Sequence, residues 1–137
     1  MTKKQYLRQG YILKQKISIQ EALLKEYKAN LDSLKGINYS KDKLQGGPVQ
    51  DDSIVIRKID KIIEVEKNIT RLHNELDIFQ NNISLALKKI NSDIEEKIIV
   101  YRYINNLSWE EISKNIGYSK TQTYRLHEQA LEKLKIF

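Results

Sequence analysis

The 137-residue chain has no cysteine. That single absence removes disulfides, thiol catalysis and sulfur-ligated zinc. Its only histidines, His73 and His127, are far apart and have no metal-ligand spacing, so neither a metal nor any other cofactor is expected. One proline and five glycines leave little room for long irregular stretches. No apolar run approaches the length needed to span a bilayer. The opening Met1-Thr2-Lys3-Lys4-Gln5-Tyr6 has two lysines but no apolar stretch behind them, unlike a signal peptide, and a cytoplasmic location is expected. Acidic side chains are plentiful, yet none is accompanied by a partner histidine or a pocket-forming pattern. Acid–base and metal catalysis are therefore not expected.

What the chain does have is charge. It carries 24 Lys/Arg against 18 Asp/Glu, a formal net charge of +6. Residues 1–50 hold ten basic and four acidic residues, whereas residues 51–91 and 92–137 each hold seven of both. The whole excess thus lies in the first segment. A positive field favours nucleic acid, but one of this size is also ordinary for a solvated coiled coil.

Two long helices are expected first. Tyr6, Leu13, Gln20, Tyr27 and Leu34 recur at heptad spacing, interleaved with Gly10, Ile17, Leu24 and Leu31. Alternating steps of three and four gather these side chains into one stripe, which Gly10 and Gln20 weaken. Gly36 and Gly46-Gly47-Pro48 then mark a connector over residues 36–51. The double glycine has no flanking strand or Gly-Lys-Ser/Thr, so it reads as a connector rather than a phosphate loop. Asp51, Asp52 and Ser53 are suited to cap a second helix. Val55, Ile59, Ile62, Ile69, Leu72, Leu76, Phe79, Ile83, Leu87 and Ile90 continue the three-four rhythm along it. Ile54, Ile56, Ile63, Val65 and Ile78 widen its apolar face beyond a two-stranded seam. The expected arrangement is a helical hairpin over residues 1–91 that dimerises with a second copy. His73 is expected to be a partly exposed helix residue.

Residues 92–137 carry three capping signals: Ser92 before Glu95, Ser108 before Glu111, and Ser119 before Gln122. They predict helices near 93–105, 109–116 and 120–135. Gly117 follows the second, where a left-handed residue is cheap for glycine. So short a joint predicts a helix-turn-helix. Ile94, Ile98, Ile99, Tyr103, Leu107, Trp109, Ile112, Ile116, Thr123, Leu126, Ala130, Leu131 and Leu134 supply its core, with Trp109 the largest plug. The fold class expected for the chain is all-α, a long helical hairpin followed by a trihelical helix-turn-helix domain.

On the last helix the inward residues leave Lys120, Thr121, Gln122, Tyr124, Arg125 and Gln129 available to a partner. In a helix-turn-helix this part enters the major groove of double-stranded DNA. Arg and Lys read guanine, Gln reads adenine, and Thr approaches a thymine methyl. Ser108, Lys114, Ser119 and Lys120 are placed for phosphate. His127 reads as a phosphate contact or as a surface or packing residue. The bland alternative is that these side chains form a solvated face, and a single unit of zero net charge would bind weakly without a second copy.

The stretch from Tyr103 to Ser119, with Tyr124-Arg125-Leu126-His127-Glu128-Gln129-Ala130-Leu131-Glu132-Lys133-Leu134, resembles region four of bacterial sigma factors. That resemblance implies promoter recognition and contact with RNA polymerase. Thr123 and Tyr124 depart from the sigma pattern, which usually has an aliphatic and then a basic residue. Nothing upstream resembles the promoter-melting region. The whole chain is similar to small regulators of Gram-positive phages and prophages of the RinA and ArpU type. Its Lys-rich start, Gly46-Gly47-Pro48 and Arg125-Leu126-His127 match their layout. The function so implied is activation of late phage genes. Two other classes fit the same residues: a DNA-packaging protein similar to a small terminase subunit, and a polymerase-binding module that does not itself read DNA.

Overall fold

The computed structural model describes residues 1–45 and 52–136. The protein is all-α, and no strand occurs among the described residues. Helix α1 is Lys3–Leu7, α2 Gln9–Gln45, α3 Asp52–Leu87 and α4 Asp93–Ile99; a π-helical segment, Val100–Ile104, follows, then α5, Trp109–Ile116, and α6, Lys120–Lys133. Among the described residues no helix is long and apolar enough to cross a membrane.

Helix α2 continues through Gly36 to Gln45, where a connector from residue 36 was expected. One interior glycine costs about 1 kcal/mol relative to alanine. That is too little to end a long helix, and the proline that would end it comes only at position 48. The expected Gly46-Gly47-Pro48 connector and the Asp51 cap lie outside the described residues. Helix α3 ends at Leu87 in two tighter bonds, Lys89 N–H to Ala86 O at 3.2 Å and Ile90 N–H to Leu87 O at 3.0 Å.

The chain divides into two compact units, Gln15–His73 and Met1–Lys14 with Asn74–Phe137. In the first, Ile17 and Leu31 of α2 and Ile62, Val65 and Leu72 of α3 are buried. His73 Nε2 lies 3.9 Å from Glu21 Oε1, with both side chains about half exposed. Ile59, expected inward, is 37% exposed, and Val65 is buried in its place at 7%. Ile19, Ile54, Ile56 and Ile63 are exposed as well.

The second unit holds the larger core. Leu76, Phe79, Ile83, Ala86, Leu87 and Ile90 are buried, together with Leu7, Ile98, Ile99, Ile112, Ala130, Leu131 and Leu134. Helices α4 and α5 both pack on α6. Helix α6 stops at Lys133, two residues short of expectation, because Leu134 adopts extended backbone and is fully buried. The N-terminal residues are tied to the C-terminal helices by lysines. Lys3 Nζ donates to Leu131 O at 2.7 Å, near the C-terminal end of α6, and Lys14 Nζ donates to Ile104 O. A cation at a helix C-terminus satisfies an orphan carbonyl and complements the dipole.

Gly10, which looked like a gap in the apolar stripe, is a contact. It is buried, and a Cβ built there would stand 2.5 Å from Phe79 Cε1. The Phe79 ring is 4% exposed and its centroid lies 5.6 Å from that of Tyr6, so it has little room to retreat. Gly10→Ala gains about 1 kcal/mol of helix propensity but overpacks the site by about 1–3 kcal/mol. Thermal or urea unfolding is expected to show a net loss of stability; a stabilised variant would mean that Phe79 repacks freely.

Candidate nucleic-acid interface

The three expected serine caps all form. Ser92 Oγ accepts from Glu95 N–H at 3.4 Å, Ser108 Oγ from Glu111 N–H at 3.2 Å, and Ser119 Oγ from Gln122 N–H at 3.2 Å. Glu95 does not serve as the acidic half of its capping signal. It is buried against α6, where Lys133 Nζ reaches Oε1 at 3.2 Å and Oε2 at 2.9 Å. An unforeseen reciprocal box closes α1, with Thr2 and Gln5 each bonding the other's backbone.

Helix α4 runs into the π-helical segment, where Asn105 N–H bonds Val100 O at 2.9 Å and Leu107 N–H bonds Tyr101 O at 2.9 Å. Asn106 then takes a left-handed φ of 57°, which asparagine tolerates, and the chain turns toward the Ser108 cap. Helix α5 spans the expected 109–116. Gly117 follows at φ 74° and ψ 26°, its N–H bonded to Ser113 O at 3.0 Å. Three residues, Gly117, Tyr118 and Ser119, thus separate α5 from α6.

On α6, Thr123, His127, Ala130 and Leu131 are buried, as a step of three and four requires. Thr123 settles its hydroxyl by donating to Ser119 O at 2.8 Å. The other side of the helix presents Lys120, Thr121, Gln122, Arg125 and Gln129, all exposed. Thr121, Arg125 and Gln129 succeed one another at four-residue steps and so share a face. Ser108, Lys114, Ser119 and Tyr124 are exposed too. Lys114 lies 3.7 Å from Glu110, an exposed pair within one helix that holds the side chain only weakly. Tyr124 is less independent: its ring meets that of Trp109 edge-on at 5.0 Å.

Trp109, expected as the core plug, is half-buried and acts as a hub for other side chains. Arg102 lies over its ring at 4.7 Å while donating through Nη1 to Leu107 O at 3.0 Å. His127 meets the same indole edge-on at 4.7 Å. Beneath it, Tyr103 Oη and His127 Nε2 are 2.6 Å apart. Burial holds the imidazole down to about 4, reinforced by Lys4 and Arg102 and opposed by Glu128. Burial pushes the Tyr103 phenol up to about 12. Both groups are therefore neutral near pH 7. With the phenol as donor to Nε2, the imidazole proton sits on Nδ1, 3.8 Å from Glu128 Oε1. His127 is thus a packing residue, and the alternative of a phosphate contact is excluded by its 3% exposure.

A cleft of about 690 Å³ opens beside this cluster. Trp109, Tyr124 and Ser108 line one part, Arg102 and Asn106 another, and Lys4, Arg8 and Tyr11 from the start of the chain a third. Lys4 Nζ is 2.7 Å from Glu128 Oε1, and that contact draws the carboxyl below its usual range. Sequence reading missed Lys4, Arg8, Tyr11 and Arg102, since nothing local signals that residues near position 8 meet residues near 102 and 124. The chain matches no protein-family model, and no curated protein or solved structure is significantly similar to it.

Proposed function

We propose that this protein is a sequence-specific DNA-binding transcriptional regulator that activates late genes of a phage or prophage in the cytoplasm of its bacterial host. In this reading α4, α5 and α6 form a trihelical helix-turn-helix, and α6 is its recognition helix. The observation that carries it is the α5–Gly117–α6 joint. It buries Thr123, His127 and Ala130 while leaving Lys120, Thr121, Gln122, Arg125 and Gln129 exposed on the helix that such a unit inserts into the major groove. The resemblance to sigma region four and to the RinA and ArpU regulators supplies the promoter context and the contact with RNA polymerase.

A homodimer through the long helices belongs to the same reading. Residues 92–137 have seven basic and seven acidic residues, so one unit has little net attraction for phosphate. Two units on two half-sites compensate. Exposed apolar residues at helical spacings within each unit support this reading: Ile78 and Leu85 in one, and Ile56, Ile59 and Ile63 in the other. The long helices then act as a coiled-coil-like hairpin.

The test is selection of bound fragments from the source organism's genomic DNA by the full-length protein at near-physiological salt. The wild type is expected to enrich a few promoter-proximal sites. A Lys120→Ala/Arg125→Ala variant is expected to lose that enrichment, since each base contact contributes about 1–3 kcal/mol of discrimination. No enrichment by a folded wild type rules out autonomous recognition and leaves a polymerase-binding module. Enrichment of a packaging sequence moves the assignment to DNA packaging.

A further inference from the structure

The cleft beside α5 and α6 takes no part in the base reading proposed for α6, yet its lining is cationic. Lys4, Arg8 and Arg102 line it against one carboxylate, Glu128. With His127 neutral, three positive groups against one negative leave a net +2. It shares Ser108 and Tyr124 with the positions assigned to DNA. We infer that this cleft holds the sugar-phosphate backbone of the duplex whose bases α6 reads, with Arg8 as its principal phosphate contact. This rests on the DNA-binding reading above and extends the interface to the first turns of the chain.

Its walls suit a phosphate. The Trp109 ring is covered by Arg102 at 4.7 Å, and the exposed rings of Tyr11 and Tyr124 carry hydroxyls that can donate to a phosphate oxygen. Three cations line the same cleft. Lys4 is engaged with Glu128 at 2.7 Å. Arg102 spends one amino group on Leu107 O, and its other N–H groups stay available. Arg8 contributes its backbone N–H to the end of α1, bonded to Lys4 O at 3.0 Å, and its side chain is exposed. A guanidinium in that position presents paired donors to a phosphate. The arrangement also gives a use to the positive excess of residues 1–50: Lys3 and Lys14 tie down the C-terminal helices, and Arg8 faces the cleft.

The experiment is the salt dependence of full-length protein binding to a fragment it selects, compared with a scrambled duplex. Arg8→Gln is expected to bind roughly five- to tenfold more weakly at 0.1 M salt, and to reduce the log–log salt slope by about 1. Its preference for the selected over the scrambled fragment should be unchanged. Arg8→Lys, which keeps the charge, should retain the wild-type slope. Lys16→Gln removes the same charge from an exposed position outside the cleft and should leave the slope unaltered. An Arg8→Gln slope equal to wild type, or a loss matched by Lys16→Gln, overturns the cleft assignment and leaves the α6 reading standing. Loss of sequence preference in Arg8→Gln overturns it too, since the contact would then be to a base. No duplex binding by the wild type overturns both.

Discussion

Replacing Ile112 with alanine is expected to lower stability by about 2–5 kcal/mol, the range for truncating a large aliphatic side chain in a closed core. Ile112 is fully buried on the two-turn helix α5, which packs on α6 and the π-helical segment. So short a helix has little stability of its own and depends on the contacts of its inward face. Ile112 and the largely buried Ser113 provide most of that face, and Ser113 is occupied in bonding Trp109 O at 2.6 Å. Loss of the isoleucine therefore removes buried area and also loosens the element that positions Gly117 and the start of α6. Urea denaturation followed by circular dichroism gives the size of the effect. Tyr118→Ala, at a side chain 42% exposed in the same turn, serves as the control and should move the midpoint little. A loss below about 1 kcal/mol for Ile112→Ala would mean that α5 can collapse onto its neighbours, contrary to the packing described. On the proposed function, DNA binding by this variant should fall together with stability.

The second large effect is expected on acidification. His127 is held neutral in the fold, at about 4 against an ordinary 6.5. The unfolded chain takes up this proton as pH falls through 6.5, whereas the folded chain resists until about 4. Over that window the unfolded state binds more protons, so stability falls with decreasing pH. The loss begins near 6.5 and is complete below the folded value. Its full size is on the order of 3 kcal/mol, at 1.36 kcal/mol per unit of difference. The cause is mainly burial, with Lys4 and Arg102 adding to it and Glu128 working against it. Tyr103 contributes geometry: protonated Nε2 would face the phenol oxygen at 2.6 Å as a donor, so the phenol would have to turn its own proton away. Glu128 acts in the same sense as His127, because a lowered folded value in either group leaves the unfolded chain binding more protons. Its carboxyl is lowered by Lys4, so any stability it contributes is lost at lower pH still, as it protonates. Unfolding measured at pH 7 and pH 5 in wild type and His127→Gln separates the groups. The wild type should lose the larger amount, and the glutamine variant should lack the histidine component. Equal losses in both proteins would place the acid sensitivity elsewhere.

The local half of this structure was legible in the residues. Serine at 92, 108 and 119 predicts three helix starts because a short hydroxyl side chain reaches the orphan amides of the first turn, and all three form. Gly117 predicts a left-handed stop, and φ is 74°. The inward set Thr123, Ala130 and Leu131 follows from a period of 3.6, as does the exposure of Thr121, Gln122, Arg125 and Gln129 on the same helix. These features are determined within a few residues of chain, where caps, turns and periodicity act.

Tertiary structure alone decided the rest. Gly10 is an interruption when read as one helix, and becomes a seat for Phe79 once α3 lies beside it. Glu95 has the spacing of a capping residue, yet its buried carboxylate is met by Lys133 from 38 residues away, and a charge-assisted bond is stronger than a reach back to the cap's amide. The basic start of the chain had no address until Lys3 met Leu131 O, 128 residues on, and Arg8 came to line a cleft with Arg102 and Tyr124. Periodicity states which side of a helix seeks cover and is silent on what covers it. That choice belongs to the packing of distant segments, and it is there that the neutral His127, the Trp109 cluster and the cationic cleft arise.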